Sequence, residues 1–203
     1  MPSDAAARPR DAQATRERLL AAAGDEFAQH GLAGARIDRI ADRAEANKRL
    51  IYVYFGNKDD LFDAVLGARL GALTDAVPFD AADLPAYAGA VFDQVVTDPQ
   101  VLALTTWRNL ERGAATDGER ASYRAKVKAL TAAQKAGQVT DAIAAVDLMA
   151  MIMSLLTSWL GAAPALKELG GADPLGPRRL KQHRAALVEA VARLAAPSTV
   201  RGR

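Results

Sequence analysis

The run Asn47-Lys-Arg-Leu-Ile-Tyr-Val-Tyr-Phe-Gly-Asn-Lys58 limits what this chain can fold into more than any other stretch. Ile51 and Phe55 stand four residues apart and share one side of a helix, which puts Lys48, Arg49 and Tyr52 on the opposite side. Asn47 is a strong N-cap, and Gly56-Asn57 closes the helix. A second short helix, from Ile37 to Ala44, precedes it, with Ile37, Ile40, Ala41 and Ala44 facing inward. Two short helices across a tight turn, the second of them cationic, are the sequence form of a helix-turn-helix. That pattern points to duplex DNA rather than to a small substrate.

The flanks support the same reading. Thr15 is placed as the N-cap of a first helix that runs to about Gln29, with Leu19, Leu20, Ala23 and Phe27 in one apolar stripe. His30-Gly31 ends it, Gly supplying the left-handed cap, and Leu32 folds back onto the stripe. Lys58 opens a fourth helix with its stripe at Leu61, Val65, Leu66, Leu70 and Leu73. Residues 1–13 are rich in Ala, Arg, Pro and Asp and have no apolar core, so they are expected to be a flexible arm, neither helix nor signal peptide. Disorder without a function is the preferred reading of that arm, with Arg8 and Arg10 reaching along a DNA backbone as the alternative.

These residues carry a resemblance. Thr15-Arg16, Leu20, Ala22-Ala23, Phe27, Gly31, Ile37, Ile40-Ala41, Ala44, Ile51-Tyr52, Tyr54-Phe55, Lys58 and Leu61 together resemble the DNA-binding domain of the TetR family of bacterial transcriptional regulators. The resemblance covers about a quarter of the chain. It implies that Asn47, Lys48 and Arg49 begin the recognition helix, where Arg49 can fork onto a guanine and Leu50 can touch a thymine methyl. It places Tyr52 and Tyr54 at phosphate-bonding positions, and Lys58 at a helix N-terminus that favours a phosphate. Two departures stand out. Where the family usually carries Thr or Ser near the start of the second helix, this chain has Ala35-Arg36, and Arg36 replaces the missing hydroxyl contact with a charge. Where the turn usually holds Gly, it has Ala44-Glu45-Ala46. Glu lacks the freedom of Gly at positive φ and sets an anion beside the DNA, so an altered turn or a modest affinity is expected.

Net charge adds little, because residues 1–60 hold ten bases and ten acids; only locally, from Arg36 to Lys58, do six bases face three acids. There is no cysteine, which excludes disulfides, thiolate zinc sites and a cysteine nucleophile. His30 and His183 are isolated, and neither a nucleophile elbow nor a phosphate-binding glycine loop is found. An enzyme is therefore not expected, nor a metal or cofactor. A dimeric helical module that has lost specific DNA binding stays open on the strength of Glu45 and the absent Thr or Ser.

Beyond Thr74 the chain changes character. The stretch from Pro78 to Pro85 reads as a linker between a DNA-binding domain at 14–75 and a second domain at 76–196, with a flexible tail at 197–203. Helices are expected at about 84–97, 99–110, 118–137, 147–161 and 177–195, which makes the fold all-α. The helix after Asp147 is apolar nearly all round and must be covered on every side. Nineteen residues, Leu148 to Leu166, carry no charge, yet Ser154, Thr157, Ser158, Gly161 and Pro164 argue against a membrane span. One face is expected in a ligand pocket with Phe92, Val95, Leu104, Trp107, Met149, Met153 and Trp159, where Arg108, Glu111 and Tyr123 add polarity. The other is expected in a dimer seam, which the resemblance builds from the last two long helices; Leu156, Leu160, Leu180, Leu187 and Val191 are its candidates. The resemblance thus implies a cytoplasmic homodimer that reads a pseudo-palindromic operator and answers to a small-molecule effector.

Overall fold

The computed structural model describes residues 7–197, and every regular element among them is helical. In chain order these are α1 (Ala7–Gly34), α2 (Ile37–Arg43), α3 (Arg49–Phe55), α4 (Lys58–Ala76), α5 (Leu84–Thr97), α6 (Gln100–Glu111), α7 (Asp117–Lys135), α8 (Ala145–Thr157), α9 (Pro164–Glu168) and α10 (Pro177–Ala195). Helix α1 starts well before Thr15, so the expected flexible arm is helical from residue 7. Thr15 is not a cap; its hydroxyl donates to the Asp11 carbonyl one turn back (2.7 Å). Ala, Arg and Gln before Thr15 are good helix formers, and Pro9 falls in the first turn, where its missing N–H costs nothing. The side chains of Arg8 and Arg10, and residues 198–203, lie outside the described residues.

Among the described residues, 7–72 with 98–119 make one compact unit, and 73–97 with 120–197 make the other. In the first, α1 packs against α2 and along α6. Leu19, Ala23, Phe27, Ile40, Ile51, Phe55, Leu61, Phe62, Leu66 and Leu104 form one buried cluster. Phe27 meets Phe62 edge to face, with centroids 5.1 Å apart. Each such fully buried side chain contributes roughly 1.5–3 kcal/mol. The presence of α6 here differs from the expected division at residue 76, because local periodicity shows that a helix has an apolar side but not what that side touches.

In the second unit α10 packs on α5 and α8. The approach of α5 to α10 is close at Gly89, where an added Cβ would stand 2.9 Å from the Arg184 guanidinium. Arg184 in turn donates to both carboxylate oxygens of Asp93 at 2.8 Å. No described helix is long and apolar enough to cross a membrane.

Candidate nucleic-acid interface

Helix α3 is positioned by its inner side. Ile51 and Phe55 are buried in the first unit's core. The Asn47 side-chain oxygen accepts the N–H of Arg49 at 2.8 Å, which caps the first turn, and the Arg16 guanidinium lies over the Phe55 ring, 5.1 Å from its centroid. Lys48, Arg49, Tyr52 and Val53 are left exposed, and Arg36 is exposed at the head of α2.

The turn before α3 closes in a regular way. Ala46 N–H bonds the Ala41 carbonyl (3.0 Å), and Glu45 N–H bonds the Asp42 carbonyl (3.1 Å). This pair is the Schellman closure of a helix C-terminus, with its left-handed position occupied by Glu45 at φ 49. Arg18 holds the turn to α1 through the Ala44 carbonyl (3.2 Å). A side chain in the left-handed region costs about 1 kcal/mol relative to glycine. Glu45→Gly is therefore expected to raise stability by about 1 kcal/mol, seen as a higher urea midpoint at unchanged slope. An unmoved midpoint would show that the turn carries no strain.

Glu26 is the organising residue that the sequence reading missed. It is 1 % exposed, and its carboxylate accepts the N–H of Arg36 (2.9 Å) and the Arg39 Nε (2.7 Å). It thus does for the head of α2 what a hydroxyl cap at residue 35 or 36 would do, since α2 has no side-chain cap there. Burial alone would raise its pKa, but the Arg39 hydrogen bond, the Arg36 N–H and the nearby charges of Arg39 and His30 outweigh that and hold the carboxyl below its ordinary value. The second acid of the pair Asp25-Glu26, falling beside Phe27 on the buried side of α1, was the signal available in the sequence.

Other expected contacts are altered in detail. The Lys48 ammonium is paired with Asp38 (3.1 Å), whose hydrogen bond and charge raise its pKa. Lys58 points back toward the carbonyls of Ala33 (3.4 Å) and Ala35 (3.3 Å). Tyr54 is half-buried against the core and edge-on to Phe55, whereas Tyr52 is 52 % exposed. Leu50, expected to touch a base, is half-buried and packs on the core cluster.

The residues of the expected pocket are divided between the two units. Leu104 is fully buried in the first unit's core, and the Trp107 indole donates to the Ala28 carbonyl (3.1 Å). Arg108 pairs with Glu119, and Glu111 caps the N–H groups of Leu32 (2.6 Å) and Ala33 (3.3 Å). Phe92, Met149 and Trp159 are buried in the second unit, as is Val95, with Met153 half-buried. Phe92 and Trp159 each face the His183 ring, at 5.5 and 5.9 Å. A cavity of about 440 Å³ does open in that unit, beside Gly170, Asp173, Arg178, Arg179 and Gln182, and of the expected residues Trp159 borders it, with the Arg179 guanidinium 3.7 Å from its ring centroid. Lys126 is the polar surprise: partly desolvated, which lowers its pKa, it stands over the rings of Tyr87 and Tyr123 (5.7 and 5.6 Å).

The expected dimer residues are covered to different degrees within the protomer. Leu156, Leu187 and Val191 are buried inside the protomer, and Leu160 and Leu180 are half-buried. The apolar residues of α8 left outward are Val146 (59 % exposed) and Met151 (45 %), with Ala150 and Ser154 between and beside them.

Comparison with known proteins covers both units. Residues 19–65 match the family model described as bacterial regulatory proteins, tetR family, and residues 83–193 match the tetracyclin repressor-like C-terminal domain. The HTH-type transcriptional repressor SCO4008 of Streptomyces coelicolor is 41 % identical over 170 residues, covering 81 % of this chain and 88 % of that protein. The HTH-type transcriptional repressor NicS of Pseudomonas putida is 33 % identical over 113 residues, 52 % of this chain and 53 % of its own. Among solved structures, the putative transcriptional regulator SCO4942 from Streptomyces coelicolor superposes with a TM-score of 0.79 at 38 % identity, covering 89 % of this chain and 98 % of that one.

Proposed function

The chain belongs to the TetR family of DNA-binding transcriptional regulators, and from that premise we propose that it is a repressor that grips a pseudo-palindromic operator as a homodimer and lets go when a small molecule binds its second unit. One observation carries the reading: α3 buries Ile51 and Phe55 while leaving Arg49 and Tyr52 outward on a short, capped helix. Such a helix fits the major groove, where Arg49 reaches a guanine edge, and Tyr52, Lys48 and Arg36 reach phosphates. Lys58 has two of its three donors directed at carbonyls and one left for a phosphate. Repression is taken from the names of the relatives. Dimerisation is supported by α8, a helix apolar nearly all round that is covered on one side only. Val146, Ala150 and Met151 are thus the proposed seam, in place of Leu156, Leu187 and Val191.

The test is selection of bound fragments from a random duplex library with purified protein at moderate salt. Enrichment of a two-fold symmetric site supports both the regulator and the dimer. No enrichment from folded protein favours the module that has lost specific binding, the reading that Glu45 keeps open. On the selected site, Tyr52→Phe is expected to weaken binding to cognate and random DNA alike, by about tenfold. Arg49→Ala is expected to lose about tenfold on the cognate site and much less on random DNA. Equal losses on both would remove Arg49 from base reading.

A further inference from the structure

Helix α3 carries two apolar side chains outside its buried pair, and the structure separates them. Leu50 is half-buried against the first unit's core. Val53 is 65 % exposed. Two residues on from Ile51 and two before Phe55, it stands at the centre of the outward side, one turn after Arg49 and next to Tyr52. Nothing in the protomer gains from a valine there. Branching at Cβ lowers helix propensity, and a helix of seven residues has little to spare. Open water gives its two methyl groups no partner. On the proposed reading of α3 as the recognition helix, this spot faces base edges. The only apolar group that a base pair presents in the major groove is the thymine C5-methyl.

We infer that Val53 is a specificity-determining residue that reads a thymine through its C5-methyl group, beside the base contact of Arg49. This inference rests on the regulator reading and is tested separately from it. Thymines of the selected site are replaced one at a time by uracil, which removes the methyl and leaves every hydrogen-bonding group in place. With the wild-type chain one position per half-site is expected to lose about fourfold in affinity, the worth of one buried methyl. With Val53→Ala that loss disappears, while the salt dependence and the response at all other positions stay the same. Because Val53 is exposed and alanine is a better helix former, the variant is expected to fold. A Val53→Ala chain that keeps the wild-type uracil profile, or a wild-type chain indifferent to uracil everywhere, overturns the inference and leaves the regulator standing. A chain that selects no site overturns both.

Discussion

Gly31→Ala is expected to lower stability by about 3 kcal/mol, the largest effect of any single methyl added to the first unit. Gly31 sits at φ 68, ψ −177, where α1 breaks before its last turn. That extended backbone at positive φ is essentially glycine's alone and costs an L-residue about 1–3 kcal/mol. The added Cβ would also stand 2.7 Å from the Glu111 carboxylate and 2.8 Å from the Trp107 ring. Neither neighbour is free to yield. Trp107 is tied to Ala28 by its indole N–H, and Glu111 is tied to the N–H groups of Leu32 and Ala33. Overpacking against fixed groups costs about 1–3 kcal/mol. Urea unfolding followed by circular dichroism checks the sum. A loss under about 1 kcal/mol would mean that α6 gives way and that its grip on α1 is looser than the geometry implies.

Glu26→Gln is expected to cost about 2 kcal/mol at neutral pH. The amide keeps the shape but loses the charge that Arg39 and the Arg36 N–H need. A fully buried pair would cost more; Arg39 is 41 % exposed, so water screens part of the loss. The sign of the pH dependence follows from the direction of the shift. The folded carboxyl titrates below the unfolded one, so its contribution is complete above the unfolded value of about 4.3 and disappears as pH falls through the folded value. The wild-type chain should therefore lose stability below about pH 4.3 more steeply than the glutamine variant, the two curves converging in acid. Parallel curves down to pH 2 would show that folding leaves the Glu26 carboxyl at its unfolded pKa.

The helix-turn-helix was legible because its signals are local. The spacing of Ile51 and Phe55 sets which side of α3 is buried, and the need for a left-handed residue at Glu45 can be read from a tight turn without glycine. What escaped depends on partners distant in sequence. Thr15 has the chemistry of a cap, but nothing local says that the helix has already begun at Ala7. Trp107 and Leu104 read as a pocket because apolar composition is the same in a cavity wall and in a core. Leu156, Leu187 and Val191 lie on amphipathic stripes; a stripe predicts burial and is silent on whether the cover is the same protomer or another. Glu26 was overlooked for the opposite reason, since an acid inside an apolar stripe looks like an interruption until Arg36 and Arg39 close on it.

Helix α3 spans only seven residues, too few to hold itself in water. Its existence is on loan from the core that takes Ile51 and Phe55. Reading DNA and staying folded are therefore one equilibrium in this unit. An operator present at a hundred times its dissociation constant would add about 2.7 kcal/mol to the unit's stability. By the same linkage, any loosening of the core withdraws the outward side of α3 as well, so the helix and its surface are lost together.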